Sequence, residues 1–260
     1  MTLTVKNLHF SYGDVEILKG LDLEMDKGIL SILGPNGAGK STLMKCLAGV
    51  HKPSEGTATF NDHNLLMRDE RLKIAYMSQE NPHVSSITVL EVMLLGRLEK
   101  LGIKVSKEDL DAAYGALKEL DLQDLALKHM NELSGGQCQM VMIAQCMVSD
   151  PDLIILDEPM NNLDLRRELE MFDIMKRITV ERNITTVMVL HDINFASRFS
   201  DKIAVLKDGI VHSAGVPSDV ITQDMIRDVY GVEAKVTIDD GRPLIQPLHS
   251  LPNKDPRQSP

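Results

Sequence analysis

The sequence predicts an α/β fold: a mixed-sheet core, an N-terminal antiparallel β subdomain and a helical insertion. Three observations carry this. The run ILSIL (Ile29–Leu33) is short and mostly apolar, stops at a glycine-rich turn, and is followed by the helix-like STLMKCLAG. Strand, glycine loop and helix make half of an α/β unit. Two more buried-strand runs, LIIL (Leu153–Leu156) and TTVMVL (Thr185–Leu190), flank a helix expected from about Arg166 to Glu181. Between them and the first unit, from about Pro82 to Asp150, helix signals dominate.

In chain order, Leu3, Val5 and Leu8, then Leu21, Leu23 and Met25, alternate as half-buried antiparallel strands do. Gly49 closes the helix that follows the glycine loop. In the insertion, SKED (Ser106–Asp109) is a capping box, and Leu110, Ala113, Leu117 and Leu120 follow at helical spacing. Asp208–Gly209 between two strand-like runs predicts a tight hairpin. After about Asp239 the chain is rich in proline and polar residues, and PNKDPRQSP reads as a disordered tail. The expected organisation is one domain over residues 1–240, with an insertion at about 82–150, and a polar, proline-rich tail over 241–260.

Bulk properties narrow the function. The 260 residues suffice for a sizeable core, and the 43% hydrophobic and 25% charged content is ordinary for a soluble globular protein. A net charge of −10 argues against a broad nucleic-acid footprint. No apolar run approaches a membrane span, and Lys6, His9 and Asp14 break up any signal-peptide reading of the first twenty residues. Cys46, Cys138 and Cys146 lack metal-type spacing and read as small buried hydrophobes in a reducing compartment. The fifteen methionines read as core filling. A soluble, intracellular protein is expected, with any membrane role acting through a partner.

The chemistry sits in three stretches. GPNGAGKS (Gly34, Pro35, Asn36, Gly37, Ala38, Gly39, Lys40, Ser41) matches G-x-x-x-x-G-K-[ST], a pattern that average composition yields by chance in about one chain in a hundred of this length. Its backbone N–H groups and helix dipole suit a β-phosphate, Lys40 the β- and γ-phosphates, Ser41 a Mg²⁺ ion and Thr42 the α-phosphate. LIILDEP ends a buried strand with two acids. Asp157 is the candidate for the Mg²⁺ shell, and Glu158 for polarising the water that attacks the γ-phosphate. LSGGQ (Leu133–Gln137) is a second small-residue turn opening a helix, and so a second anion site.

Together these stretches resemble the ATP-binding subunit of an ABC transporter, over about Leu3 to Val236. The resemblance implies a P-loop NTPase (RecA-like) core that binds ATP and Mg²⁺. It makes Ser134, Gly135, Gly136 and Gln137 the signature motif, acting in trans on the γ-phosphate held by a second copy. It makes Gln79 in YMSQE the loop glutamine that contacts Mg²⁺ or the water, and His191 the switch histidine. Asp164 in NNLD (161–164) belongs to the D-loop at the dimer contact, and Tyr12 in FSYG stacks on adenine. Two positions depart from the family's pattern. Cys138 and Gln145 stand where basic residues are usual, and Gln145 can cap carbonyls or meet an acid only without charge.

Within the family, ITVLEVMLLGR (Ile87–Arg97) and LDLRRELE (Leu163–Glu170) resemble importers of iron–siderophore complexes, haem and vitamin B12. The implied partners are transmembrane permease subunits, a second copy of the chain in an ATP-sandwich homodimer and, indirectly, an extracytoplasmic substrate-binding protein. No nucleic-acid partner is expected. The implied location is the cytoplasmic face of the membrane, held peripherally by the permease. Two other readings stay open at this point: a soluble ABC ATPase acting as a clamp or assembly factor, and a regulatory subunit that binds nucleotide without hydrolysis.

Overall fold

A computed structural model describes residues 1–67, 72–79, 86–98, 104–161 and 163–252. The chain begins with β1 (Leu3–Tyr12), β2 (Val15–Met25) and β3 (Gly28–Leu33), then helix α1 (Lys40–Leu47). Strands β4 (Glu55–Phe60), β5 (His63–Asn64) and β6 (Ile74–Met77) follow. Helices α2 (Val89–Leu95), α3 (Lys107–Glu119) and α4 (Gly135–Val148) occupy the insertion. The chain then alternates through β7 (Leu153–Asp157), α5 (Leu165–Glu181), β8 (Thr185–Val189), α6 (Ile193–Phe199), β9 (Lys202–Lys207) and β10 (Ile210–Gly215). It ends in β11 (Val232–Asp239) and β12 (Arg242–Ser250).

The central sheet has strand order β10-β9-β3-β8-β7-β6, parallel except for the antiparallel edge strand β10. Its strands bury both faces, which explains their continuous apolar runs. In β3, Ile29 and Leu33 join the core shared with α4, α5 and α6, while Leu30 and Ile32 join the core shared with α1 and the antiparallel sheet. Ser31 is buried in this strand, its hydroxyl hydrogen-bonded to that of Ser200 at 2.6 Å. The antiparallel sheet, order β2-β1-β4-β5, lays Leu18, Leu21, Leu23 and Met25 over that second core.

The insertion packs its three helices on one another. Capping boxes at Thr88/Glu91 and Ser106/Asp109 start α2 and α3. The box at Ser106/Asp109 is the one expected from the sequence; the first residues expected for the insertion, 82–85, lie outside the described set. All three cysteines are buried. Burial pushes the Cys46 and Cys146 thiols up to about 12, so neither is a thiolate near neutral pH.

The carboxyl end requires a correction. The expected tail from residue 241 is, up to Ser250, a strand: β12 pairs antiparallel with β11 from Asp239↔Arg242 to Val232↔Ser250. The hairpin is tied to α6. Asn194 exchanges two hydrogen bonds with the Ile245 backbone, and Ser197 Oγ donates to the Pro243 carbonyl at 2.6 Å. Two of the prolines that suggested a tail, Pro243 and Pro247, sit on a two-stranded ribbon, where a missing N–H is tolerated at the edge. Residues 253–260 lie outside the described set.

Candidate active site

The glycine loop bridges the end of β3 and the start of α1. Gly34 has φ +142°, and a Cβ there would meet the Leu206 carbonyl oxygen at 2.2 Å, so only glycine allows this approach to β9. Lys40 is buried at 6% exposure, and its ammonium donates to the carbonyls of Gly34 (2.8 Å) and Pro35 (2.9 Å). Burial lowers its pKa, and the nearby Glu158 and Asp157 carboxylates oppose that shift. In this arrangement the lysine closes the loop on itself. Asn36 and Gly37 are exposed at the crown, while Ala38, Gly39 and Thr42 are buried.

Asp157 closes β7 beside this loop. Its Oδ1 accepts from Ser41 Oγ at 3.2 Å; its Oδ2 is buried and has no hydrogen-bond partner among the described residues. Burial raises the Asp157 pKa most, the Ser41 hydrogen bond opposes this, Glu158 adds to it, and Lys45 and Lys40 draw it back. A buried carboxylate oxygen without a partner, next to a serine hydroxyl, is a donor set that suits a hard divalent cation.

Glu158 turns the other way. It has φ +54°, unusual for a residue with a Cβ. Its carboxylate collects three side chains: Gln79 Nε2 donates to Oε2 at 2.7 Å, Asn161 Nδ2 to Oε2 at 2.8 Å, and His191 Nε2 lies 2.7 Å from Oε1. Gln79 comes just after β6 and His191 just after β8, the neighbours on either side of β7. Parallel order thus delivers three strand ends to one carboxylate. Asn161 carried no catalytic expectation. The only signal was its place three residues beyond Glu158, which the turn Asn161 N–H to Glu158 O (3.3 Å) converts into contact.

Tyr12 lies at the end of β1, about half exposed at 48%. Its hydroxyl hydrogen-bonds His51 Nε2 at 2.8 Å, and its ring stands edge-on to Phe10, with centroids 4.9 Å apart. His51 is another residue that the sequence pattern did not single out.

The signature turn is elsewhere. Ser134 caps α4: its Oγ accepts from the Gln137 N–H at 3.3 Å, and Gln137 Oε1 accepts from the Ser134 N–H at 3.0 Å. Asp164 caps α5, accepting from the Arg167 N–H at 3.0 Å. Ser134, Gly135, Gly136, Gln137 and Asp164 share one cavity of about 830 Å³ with Leu163, Arg166 and Arg167. No residue of the glycine loop lines it. The structure therefore gathers the expected residues into two places: the loop, Asp157, Glu158, Gln79 and His191 in one, the signature and Asp164 in the other.

The two departures are absorbed locally. Cys138 is buried, with its thiol donating to the Met130 carbonyl at 3.4 Å. The last carbonyls of α4 are capped from outside the helix: Arg182 Nη1 reaches Met147 O at 3.3 Å and Arg97 Nη1 reaches Val148 O at 3.4 Å. A charged residue at position 145 is not needed for that role.

Residues 18–161 match the ABC transporter family model. The chain belongs to the ABC transporter family. It is 40% identical to an ABC transporter ATP-binding protein of Methanocaldococcus jannaschii, over 95% of this chain and 98% of that one. It is 34% identical to the petrobactin import ATP-binding protein of Bacillus subtilis, over 92% and 96%. Its fold is similar to that of a chain in the inward-facing structure of an ABC transporter assigned to the metal-chelate type (TM-score 0.84, 27% identity, 95% and 97% covered). It is also similar to a dimeric ATP-binding cassette in a post-hydrolysis state bound to ADP and Pi (TM-score 0.73, 31% identity, 82% and 98% covered). This chain is thus an ATP-binding cassette of an ATPase family, and its P-loop NTPase fold is that of the family. Among the described residues, no helix is long and apolar enough to cross a membrane.

Proposed function

We propose that the chain is the ATP-hydrolysing subunit of an importer for iron–siderophore or related metal-chelate cargo. It would work at the cytoplasmic face of a membrane through a separate permease. The observation that carries the hydrolytic part is the Glu158 carboxylate, held by Gln79, Asn161 and His191 within reach of Lys40 and Asp157. The cargo class rests on the petrobactin import ATP-binding relative and on the structural neighbour assigned to the metal-chelate type of ABC transporter.

Each residue has a role that its surroundings support. Lys40 exchanges the Gly34 and Pro35 carbonyls for the β- and γ-phosphates, while the loop's N–H groups wrap the β-phosphate and Thr42 takes the α-phosphate. Tyr12 offers an exposed aromatic face to adenine. Ser41 and Asp157, with Gln79 as a further oxygen donor, would hold Mg²⁺, which supplies charge neutralisation to the phosphates when bound. Glu158 accepts the proton of the attacking water, and its grip by Gln79 and Asn161 fixes where that oxygen stands. His191, now on Glu158, swings to donate to the γ-phosphate.

Separation of the signature cavity from the glycine loop favours a two-copy site. Ser134, Gly136 and Gln137 of one copy would cover the nucleotide of the other, with Asp164 at the contact. The permease would dock in a second groove of about 840 Å³, lined by Leu95 at the end of α2, by Gly96, Arg97 and Leu98 just after it, and by Met67. Arg97 is fixed there by Asp109 at 3.0 Å, an ion pair that joins α2 to the cap of α3.

The deciding experiment is Glu158→Gln. It should trap an ATP-bound dimer with little turnover, and near-normal hydrolysis would sink the general-base role. Co-purification separates the importer from a soluble clamp or assembly factor: a membrane permease supports the first, a soluble scaffold the second.

A further inference from the structure

One buried polar side chain next to the signature is used neither by the nucleotide roles above nor by a helix cap. Gln139 lies on α4, two residues beyond Gln137, and is 1% exposed. Its Nε2 donates to the Pro159 carbonyl at 2.7 Å. Pro159 is buried and directly follows Glu158.

The chain needs a hold at that point. Glu158 sits in the left-handed region at φ +54°, a conformation that costs on the order of 1–3 kcal/mol and persists only where the surroundings over-determine it. Pro159 has no N–H with which to anchor itself. Among the described residues, the backbone of the turn that follows is held by long bonds, Asn161 N–H to Glu158 O at 3.3 Å and Leu163 N–H to Met160 O at 3.2 Å. The Gln139 amide adds a short, buried contact that fixes the Pro159 carbonyl, one residue beyond the strained one. Packing reinforces it: an added Cβ at Gly136 would lie 3.2 Å from Leu163 Cδ2, so α4 and the segment after Glu158 are in close contact.

We propose that Gln139 is a positioning residue for Glu158, fixing the Pro159 carbonyl, and with it the chain directly after Glu158, from the helix that the signature turn opens. The proposal deepens the reading of Glu158 as the base and rests on it. Gln139 touches no reacting atom in this account. It sets where the carboxylate points, while Gln79, Asn161 and His191 set what the carboxylate meets. Four residues of helix, about 6 Å of rise, separate Gly135 from Gln139. The cap of α4 and the base of the reaction are therefore joined by less than two turns of rigid backbone and one hydrogen bond.

The test uses the full-length chain and two substitutions. Gln139→Met keeps volume and helix propensity but removes the donor. Its kcat should fall about 10- to 100-fold, the scale of misplacing a reacting group by a fraction of an ångström to an ångström, with KM for ATP within about two-fold of wild type. Gln139→Glu restores a donor only when its carboxyl is protonated. Its kcat relative to wild type should therefore rise as pH is lowered from about 8 to about 6, with the folded fraction followed at each pH by melting temperature. A Gln139→Met kcat within about two-fold of wild type overturns the proposal. So does a loss of rate matched by an equal rise in KM, or a Gln139→Glu ratio that is flat with pH or only tracks the folded fraction. If Glu158→Gln is inactive and Gln139→Met is normal, the base stands and the positioning role falls. If Glu158→Gln turns over normally, the base assignment itself fails.

Discussion

The glycine-loop half and the signature half of this molecule are built in opposite ways. In the loop half, charged groups rest on polar neighbours: Lys40 on the Gly34 and Pro35 carbonyls, and Glu158 on Gln79, Asn161 and His191. In the signature half, Ser134 and Gln137 satisfy each other in a capping box at the mouth of an open cavity. On the proposed function, the loop half would exchange partners when nucleotide arrives, and the signature half is a preformed edge that would need only to meet a surface. The contrast then assigns rearrangement to the side proposed for the chemistry, and rigidity to the side proposed to close over it.

The sharpest way to break the comparison is to remove the charges of the loop half. Lys40→Ala should lower kcat/KM by at least 10²–10³-fold, the scale of losing one preorganised donor, and a smaller loss in a phosphate-release assay would remove Lys40 from the transition state. Mixing tests the other half. Lys40→Ala and Ser134→Arg chains, each inactive alone, should regain up to about a quarter of wild-type turnover when mixed in equal amounts. Half of the dimers are then mixed, and each mixed dimer concentrates both lesions in one site and leaves the other intact. No recovery would place the signature in cis. Asn161→Ala should cost less, about ten-fold in kcat with KM unchanged, because Gln79 still holds the carboxylate. Steady-state kinetics read this directly, and a KM effect would argue for a nucleotide contact instead.

The smallest effect concerns stability. Burial raises the Asp157 pKa, so its proton is held more tightly in the folded chain than in the unfolded one. That contribution is fully present below the unfolded pKa and is lost as pH rises through the folded one. At neutral pH the charge is therefore a cost to the nucleotide-free fold. Asp157→Asn should raise its melting temperature by about 2–4 °C, as expected for roughly 1 kcal/mol in a domain of this size, while hydrolysis is lost. A lower melting temperature would show that the carboxylate is stabilising without its cation.

Much of the site was legible because its chemistry demands fixed residue types at fixed spacing. The glycine loop, the acids at the end of LIILDEP and LSGGQ could each be read locally, since each motif is one turn joined to one strand or helix. His51 and Gln139 were not legible, because their partners, Tyr12 and Pro159, lie 39 and 20 residues away. The hairpin partner of β11 was hidden for a different reason. Proline and polar composition marks both a tail and an edge ribbon, and only the docking of Asn194 and Ser197 onto the backbone of β12 separates them.

The sequence by itself determined the family, through the resemblance of its motifs, and the glycine loop and many of the strands and helices, which follow from periodicity and short-range backbone geometry. Only the tertiary structure decided that Gln79, Asn161 and His191 converge on one carboxylate, and that the signature turn opens away from the loop of its own chain. Convergence depends on which strands are neighbours in the sheet. Strand order is set by burial on both faces of the sheet, which no local spacing encodes.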